Sequence, residues 1–260
     1  MQIVLIGAGR LSTNLAPALI AAGHEVVQVY SRTKEAATVL ADKVNAQAVT
    51  SLTAIAVTAD IYIFSVTDTA LPTLIAQMPK LNSKAICLHT AGSMPLSVFN
   101  GSTEKYGVFY PMQTFSKERP VDFKQIPVFI EASDEGTFTI TRQLAESISN
   151  RVIELSSEDR KYLHLAAVYA SNFANHCYEL SAEILQCHKL PFDVMLPLID
   201  ETAAKVHQLS PLQAQTGPAV RYDQNVMNAQ KKLLYDQPRL ARIYEEMSES
   251  IHCAIKNNLS

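Results

Sequence analysis

The chain has 260 residues, 48% of them hydrophobic and 18% charged, with a net charge of −3. This length suits a dinucleotide-binding unit of about 150 residues plus a second domain of about 110, and the composition is that of a globular protein rather than a disordered one. A slightly acidic chain without a dense basic block argues against nucleic acid as a partner, and no apolar run approaches the roughly 18 residues of a membrane span.

Ile3-Val4-Leu5-Ile6 is a run of aliphatic residues, as in a central parallel strand buried on both faces. It breaks into Gly7-Ala8-Gly9-Arg10-Leu11-Ser12, after which Leu11, Leu15, Ala18, Leu19 and Ala22 recur at helical spacing. Strand, glycine turn and helix in this order predict a phosphate-binding turn. Gly7 permits the turn, Gly9 lets the backbone approach a pyrophosphate, and Ser12, small where a third glycine often stands, keeps helix and strand close. Gly7, Ala8, Gly9, Arg10, Leu11 and Ser12 are the expected cofactor contacts here.

The strand Glu25–Tyr30 delivers Ser31-Arg32-Thr33 to its end. An NAD site places an acid at this point for the ribose hydroxyl, whereas an NADP site offers Arg and hydroxyls to the 2′-phosphate. No acid stands here, so Ser31, Arg32 and Thr33 predict NADP; the plainer reading is a solvated arginine at a strand end. A helix at Lys34–Lys43, a short strand at Ala48–Val49 and a helix near Leu52–Ala56 lead to the strand Ile61–Val66. Its end, Ser65-Val66-Thr67-Asp68, should face the cofactor, because ligands lie outside the carboxyl ends of parallel strands; alternatively Thr67 or Asp68 caps the helix that follows.

The strand Ala85–Leu88 carries His89-Thr90-Ala91-Gly92-Ser93 to the same edge. Gly107 to Phe115 reads as a strand running into a proline-marked loop, Pro127–Glu131 as a strand, Glu135–Ile148 as a helix and Arg151–Leu155 as a last strand. From Ser156 the pattern becomes helical. One long helix runs to about Cys187, followed by helices at Pro191–Gln208, Asn225–Tyr235 and Pro238–Lys256, with Thr216-Gly217-Pro218 as a break. The expected architecture is α/β, an N-terminal Rossmann NAD(P)-binding domain over 1–155 and an all-helical domain over 156–260. The four cysteines lack metal-ligand spacing and read as reduced, mostly buried thiols of a cytoplasmic protein; no metal site is expected. Met1 leads almost directly into a strand, so no signal peptide is expected.

With these residues in view, the chain resembles the Rossmann-like proteins that carry a DUF2520 helical domain, relatives of pyrroline-5-carboxylate reductase, F420-dependent NADP reductase and the 3-hydroxyacid dehydrogenases. The resemblance rests on Gly7 to Ser12, His89-Thr90-Ala91-Gly92, Tyr110-Pro111-Met112-Gln113-Thr114-Phe115, His164-Leu165-Ala166-Ala167 with Ser171-Asn172-Phe173, and Thr216 to Arg221. It implies NADP binding, oxidoreductase activity and a homodimer. Two positions depart from those relatives: the lysine expected four residues before a helical asparagine is Val168 before Asn172 and Ser171 before Asn175, and the histidine that prephenate dehydrogenases place before Pro-Met is Tyr110.

The expected function is hydride transfer between NADP(H) and a small carbonyl or imine substrate, the alternative being a non-catalytic NADP-binding sensor or interaction protein. Such a transfer needs a group that supplies a proton or stabilises developing charge. The catalytic candidates are His89, Tyr110, His164 and Asn172, each with a plainer structural reading. Asn175 and Arg221 are candidate substrate contacts, Arg221 because its planar fork suits a carboxylate. At 100° per residue, Lys161, His164, Ser171, Asn172, Asn175 and Glu179 share one sector of the long helix.

Overall fold

Gln2–Ile6 forms the first strand, β1, and its alternating side chains separate two apolar layers. Ile3 and Leu5 join one cluster with Leu15, Leu19 and Val29, while Val4 and Ile6 join another with Tyr62 and Phe64. An unbroken aliphatic run is therefore shared by both faces of a buried sheet. The computed structural model describes residues 1–258.

The remaining strands are β2 (Glu25–Tyr30), β3 (Gln47–Val49), β4 (Ile61–Phe64), β5 (Ile86–His89), β6 (Tyr106–Pro111), β7 (Val128–Ala132) and β8 (Val152–Glu154). They form one sheet in the order β3-β2-β1-β4-β5-β6-β7-β8. Pairing is parallel from β3 across to β6; β7 then runs antiparallel to β6, and β8 parallel to β7. The chain winds outward from β1 in both directions, so the crevice at the carboxyl ends of β1 and β4 is the switch point where such sheets bind ligands. Helices α1 (Arg10–Ala21), α2 (Lys34–Lys43), α3 (Leu71–Ala76) and α4 (Glu135–Ile148) cover the two faces.

Beyond the sheet come α5 (Ser157–Ala167), a π-helical turn (Val168–Phe173), α6 (Ala174–Cys187), α7 (Leu196–Lys205), α8 (Pro211–Ala214), α9 (Gln224–Lys232) and α10 (Pro238–Asn257). The fold is thus α/β with a helical C-terminal region. The chain divides into two compact units, Met1–Asn172 and Phe173 onward. The division falls inside the π-helical turn, past the expected boundary at 155, because α5 is bolted to the sheet. Buried Arg160 of α5 donates to Glu131 of β7 at 2.7 Å and to the Met94 carbonyl at 2.7 Å.

Several expected elements differ locally. The single long helix is interrupted by the π-turn, so the 100° count from Lys161 to Glu179 does not hold. The helix near Leu52 is a short 3-10 turn, Leu52–Ala54, capped by Ser51. The helix expected from Pro191 starts at Leu196, which leaves Pro197 in its first turn, where a missing N–H costs nothing. β4 ends at Phe64 and β5 extends to His89, so His89 belongs to a strand rather than a loop. The thiols also differ from expectation: Cys87 is buried, but Cys177, Cys187 and Cys253 are exposed, and all four are free. No helix among the described residues is long and apolar enough to cross a membrane.

Within the second unit the buried apolar cluster is small: Leu180, Leu234 and Leu240, with Ala241, Ile243 and Tyr244 against it. Ser210 and Gln213 form a capping box at α8, and Asp223 caps α9.

Candidate cofactor and substrate site

The turn after β1 meets the turn after β4 at a distance only glycine allows. Gly7 has φ +118°, and a β-carbon there would run into the Ser65 carbonyl. Gly9, by contrast, would point a β-carbon into open space, and as N-cap of α1 it offers no side chain to the helix's leading N–H groups. Those donors remain free for an anion. The cleft above them has a volume of ≈ 590 Å³ and runs past Gly7 to Leu11, Tyr30 to Arg32, Ser65 to Asp68, Thr90 to Gly92, and on to Tyr110 and His164. A turn cleared of side chains, leading from an arginine to a polar pair, fits a dinucleotide.

The structure gathers most of the sequence-predicted cofactor residues on this wall: Gly7, Ala8, Gly9, Arg10, Leu11, Ser31, Arg32, Ser65, Val66, Thr67 and Asp68. Ser12 and Thr33 stand off it. Ser12 is fully buried under the turn with an unpartnered hydroxyl, and Thr33 is the N-cap residue of α2. Ser93 donates a short hydrogen bond to Asp68, tying the loop after β5 to the loop after β4.

At the far end of the cleft, the Tyr110 hydroxyl lies 3.0 Å from Nδ1 of His164. The rings meet edge to face, 6.1 Å between centroids. Burial raises the Tyr110 hydroxyl above its usual value; the Arg160 charge opposes the rise and Asp68 adds to it. Arg160 precedes His164 by one helical turn, and its bonds to Glu131 and Met94 fix the helix that carries the histidine. Ser157 completes the anchor by donating to Glu131 at 2.6 Å and accepting from the Leu96 N–H at 2.8 Å. The sequence reading passed over Arg160, although a basic residue four before a candidate histidine shares its helix face.

His89 is placed differently. It is fully buried at the end of β5, stacked on Phe99 at 5.8 Å, and its Nδ1 accepts the Ala91 N–H at 3.2 Å. Burial and then the Arg160 charge push its pKa down to about 3, so the ring is neutral. It shapes the Thr90–Gly92 loop from behind and does not reach the cleft wall.

A second cavity of ≈ 610 Å³ adjoins the first and shares Arg10, Leu11, Tyr110, Gln113, Phe115 and His164 with it. Its own wall is the loop Met112 to Phe115 on one side and Leu163 to Asn172 of α5 and the π-turn on the other. Asn172 is therefore brought to this cavity, and Val168 occupies the position of the absent lysine. Lys161 points elsewhere and pairs with Glu158 at the surface. Asn175, on α6, and Arg221, in the turn before α9, belong to the second unit. Gln113 and Phe115, to which the sequence reading gave no role, face both.

Fold and cleft together define a Rossmann-type NAD(P)-binding protein. The family model described as NADP oxidoreductase, coenzyme F420-dependent, matches residues 2–91, and that of a domain of unknown function, DUF2520, matches residues 126–251. The crystal structure of a candidate NADP oxidoreductase from Bacteroides fragilis is 54% identical, with 96% of this chain and 97% of that one covered and a TM-score of 0.93. The chain belongs to this family, in which an NADP oxidoreductase-like domain is joined to DUF2520. At lower identity the fold recurs in a Thermotoga maritima protein (23% identical, 99% of this chain and 100% of that one covered, TM-score 0.73) and in an imine reductase from Myxococcus stipitatus in complex with NADP+ (13%, 100% and 94%, 0.68). No curated protein matches the sequence.

Proposed function

We propose that the chain is an NADP-dependent oxidoreductase that transfers a hydride between NADP(H) and a small carbonyl or imine, with Tyr110 and His164 handling the proton. The observation that carries this reading is the position of the Tyr110–His164 pair on the shared wall of two cavities, one fitted to a dinucleotide and the other free for a substrate. The bound cofactor would supply the hydride. Tyr110, protonated at neutral pH and raised further by burial, donates its proton to the substrate's oxygen or nitrogen as the C=O or C=N π pair is released to it. His164 then relays a proton from solvent to the Tyr110 phenolate, so that substrate, NADPH and one solvent proton become an alcohol or amine and NADP+. Asn172, at the end of the second cavity, orients the substrate through its amide.

NADP rather than NAD is supported by Ser31 and Arg32 on the cleft wall and by the lack of an acid beside them. A homodimer and a cytoplasmic setting belong to the same reading, the second supported by four free thiols. Val168 favours the alternative of a non-catalytic NADP-binding sensor, because an isopropyl group in the second cavity cannot hand over a proton.

Adding small ketones, ketoacids and cyclic imines to the protein with NADPH, while following NADPH oxidation, separates the two. Catalysis predicts turnover that falls by about 10²-fold or more in Tyr110→Phe with NADPH affinity unchanged. Tight NADPH binding without turnover across the panel rejects the enzyme in favour of the sensor.

A further inference from the structure

The face of the sheet under α3 and the 3-10 turn Leu96–Phe99 is thinly covered. α3 has six residues, and the crossover between the parallel strands β5 and β6 carries only that 3-10 turn where a longer helix is usual. A cavity of ≈ 490 Å³ lies between the two, and it shares no lining residue with the cofactor cleft. Its floor includes Phe64, Ile75 and Phe99, all buried. That floor is pre-formed, because Phe99 is held edge to face by Phe64 at 5.6 Å, stacked on His89 at 5.8 Å and met by Tyr106 at 5.8 Å. The rim is polar. Lys80, from the loop after α3, and Glu104, from the loop before β6, both line it; both are exposed, and neither forms an ion pair with another described residue. Ser83 and Ser102 add hydroxyls to the same lining.

We propose that this cavity is a second ligand site, for an apolar α-amino acid. Its volume lies in the range of a pocket for one small organic molecule, and two separate loops bring one cation and one anion to it above an apolar floor. A zwitterion with an apolar side chain uses all three: its carboxylate meets Lys80, its ammonium meets Glu104, and its side chain covers the phenylalanine rings. A ligand with a single charge leaves one rim group unused, and a hydrocarbon leaves both. Since the rim charges stand in water, each contributes little; the floor supplies most of the affinity, and the pair of charges supplies the preference for a zwitterion. The site is independent of the hydride-transfer reading and does not rest on it.

L-Phenylalanine, 3-phenylpropanoate and phenethylamine test this, because each of the last two deletes one charge and keeps the ring. Affinities come from ligand-observed NMR titrations of the full chain. L-Phenylalanine should bind about 3-fold more tightly than either analogue, and Lys80→Met combined with Glu104→Gln should remove that advantage. Ala76→Trp, at an exposed position on the cavity wall, should abolish binding of the amino acid. Ser102→Trp, on the other side of the crossover, should do the same, and the melting temperature of each variant shows that the chain is folded. Saturating NADP+ should leave the affinity unaltered, since cavity and cleft share no residue. Absence of saturable L-phenylalanine binding, equal or tighter binding of an analogue, or an advantage kept by the double variant overturns the inference, as does binding retained in a folded Trp variant or displacement by NADP+.

Discussion

Gly92 and His164 are packed so closely that a β-carbon on the glycine would lie 2.5 Å from Nδ1 of the ring. The same atom would lie 3.0 Å from Cζ of Tyr110. Gly92 is therefore the floor on which the Tyr110–His164 pair rests, and its backbone needs no special φ; the demand is for space. Gly92→Ala should push the histidine off the phenol. We expect a stability loss of about 1–3 kcal/mol, typical of overpacking, and a drop in turnover of about 10-fold or more with NADPH affinity little changed. Thermal unfolding and steady-state kinetics check the two effects separately.

Arg160 and Glu131 form the buried bridge that holds α5 against β7, with side-chain exposures of 1% and 21%. Removing one partner strands the other. Arg160→Met should cost about 3 kcal/mol, while Arg160→Met combined with Glu131→Gln should cost less than the sum of the singles. A double-mutant cycle by urea denaturation measures the coupling, and additive losses would show that the bridge is incidental.

His89 imposes a pH dependence on stability. Its folded pKa lies at about 3 against an ordinary 6.5, so between those values the unfolded chain holds a proton on this ring that the folded chain does not. Stability therefore falls as pH drops from 6.5 toward 3, and this group contributes no slope above 6.5. At pH 4.5, two units below the ordinary value, the loss is about 3 kcal/mol. Melting temperatures at pH 7 and 4.5 should converge in His89→Gln relative to the parent chain, whatever the variant's baseline.

Cofactor choice is open to direct titration. NADPH should bind more tightly than NADH, and Arg32→Ala should cut NADPH affinity by about 10-fold or more, the value of a hydrogen bond to a charged group, with NADH affinity unaltered. Equal calorimetric affinities for the two cofactors would remove Arg32 from the 2′-phosphate.

The second unit buries little by itself, since its core cluster is Leu180, Leu234 and Leu240, while Leu198, Leu233 and Tyr235 expose 63%, 76% and 87% of their surfaces. Side chains this apolar and exposed are what an association surface would cover, and we expect a twofold homodimer, the commonest solution. Light scattering at micromolar concentration should return twice the 28.6 kDa chain mass. A monomer mass would refute it.

The cofactor turn was legible because its evidence is local: a strand, Gly7, Gly9 and α1 follow one another within about twenty residues, and each has its own sequence mark. The proton-handling end was harder to read. Tyr110 and His164 are 54 residues apart, and nothing in either segment announces the other, so both were candidates without a relationship. His89 shows how small a shift matters: one further residue in β5 turned a candidate loop ligand into a core side chain, since successive strand positions face opposite ways. The π-turn had no signature at all. Val168 to Phe173 scans as ordinary helix, and only the tertiary packing of α5 through Arg160 reveals that the first unit carries on to Asn172.

The distribution of thiols makes the chain ready for site-restricted labelling. Cys87, the sole cysteine of the first unit, is enclosed between β4 and β6, and burial pushes its thiol up to about 12. At neutral pH it offers almost no thiolate to an alkylating reagent. Cys177, Cys187 and Cys253 all lie at the surface of the second unit. A maleimide dye will therefore mark the helical unit and leave the sheet unit untouched, so a single reaction on the unmodified sequence supplies a fluorescent reporter for one unit of the molecule alone.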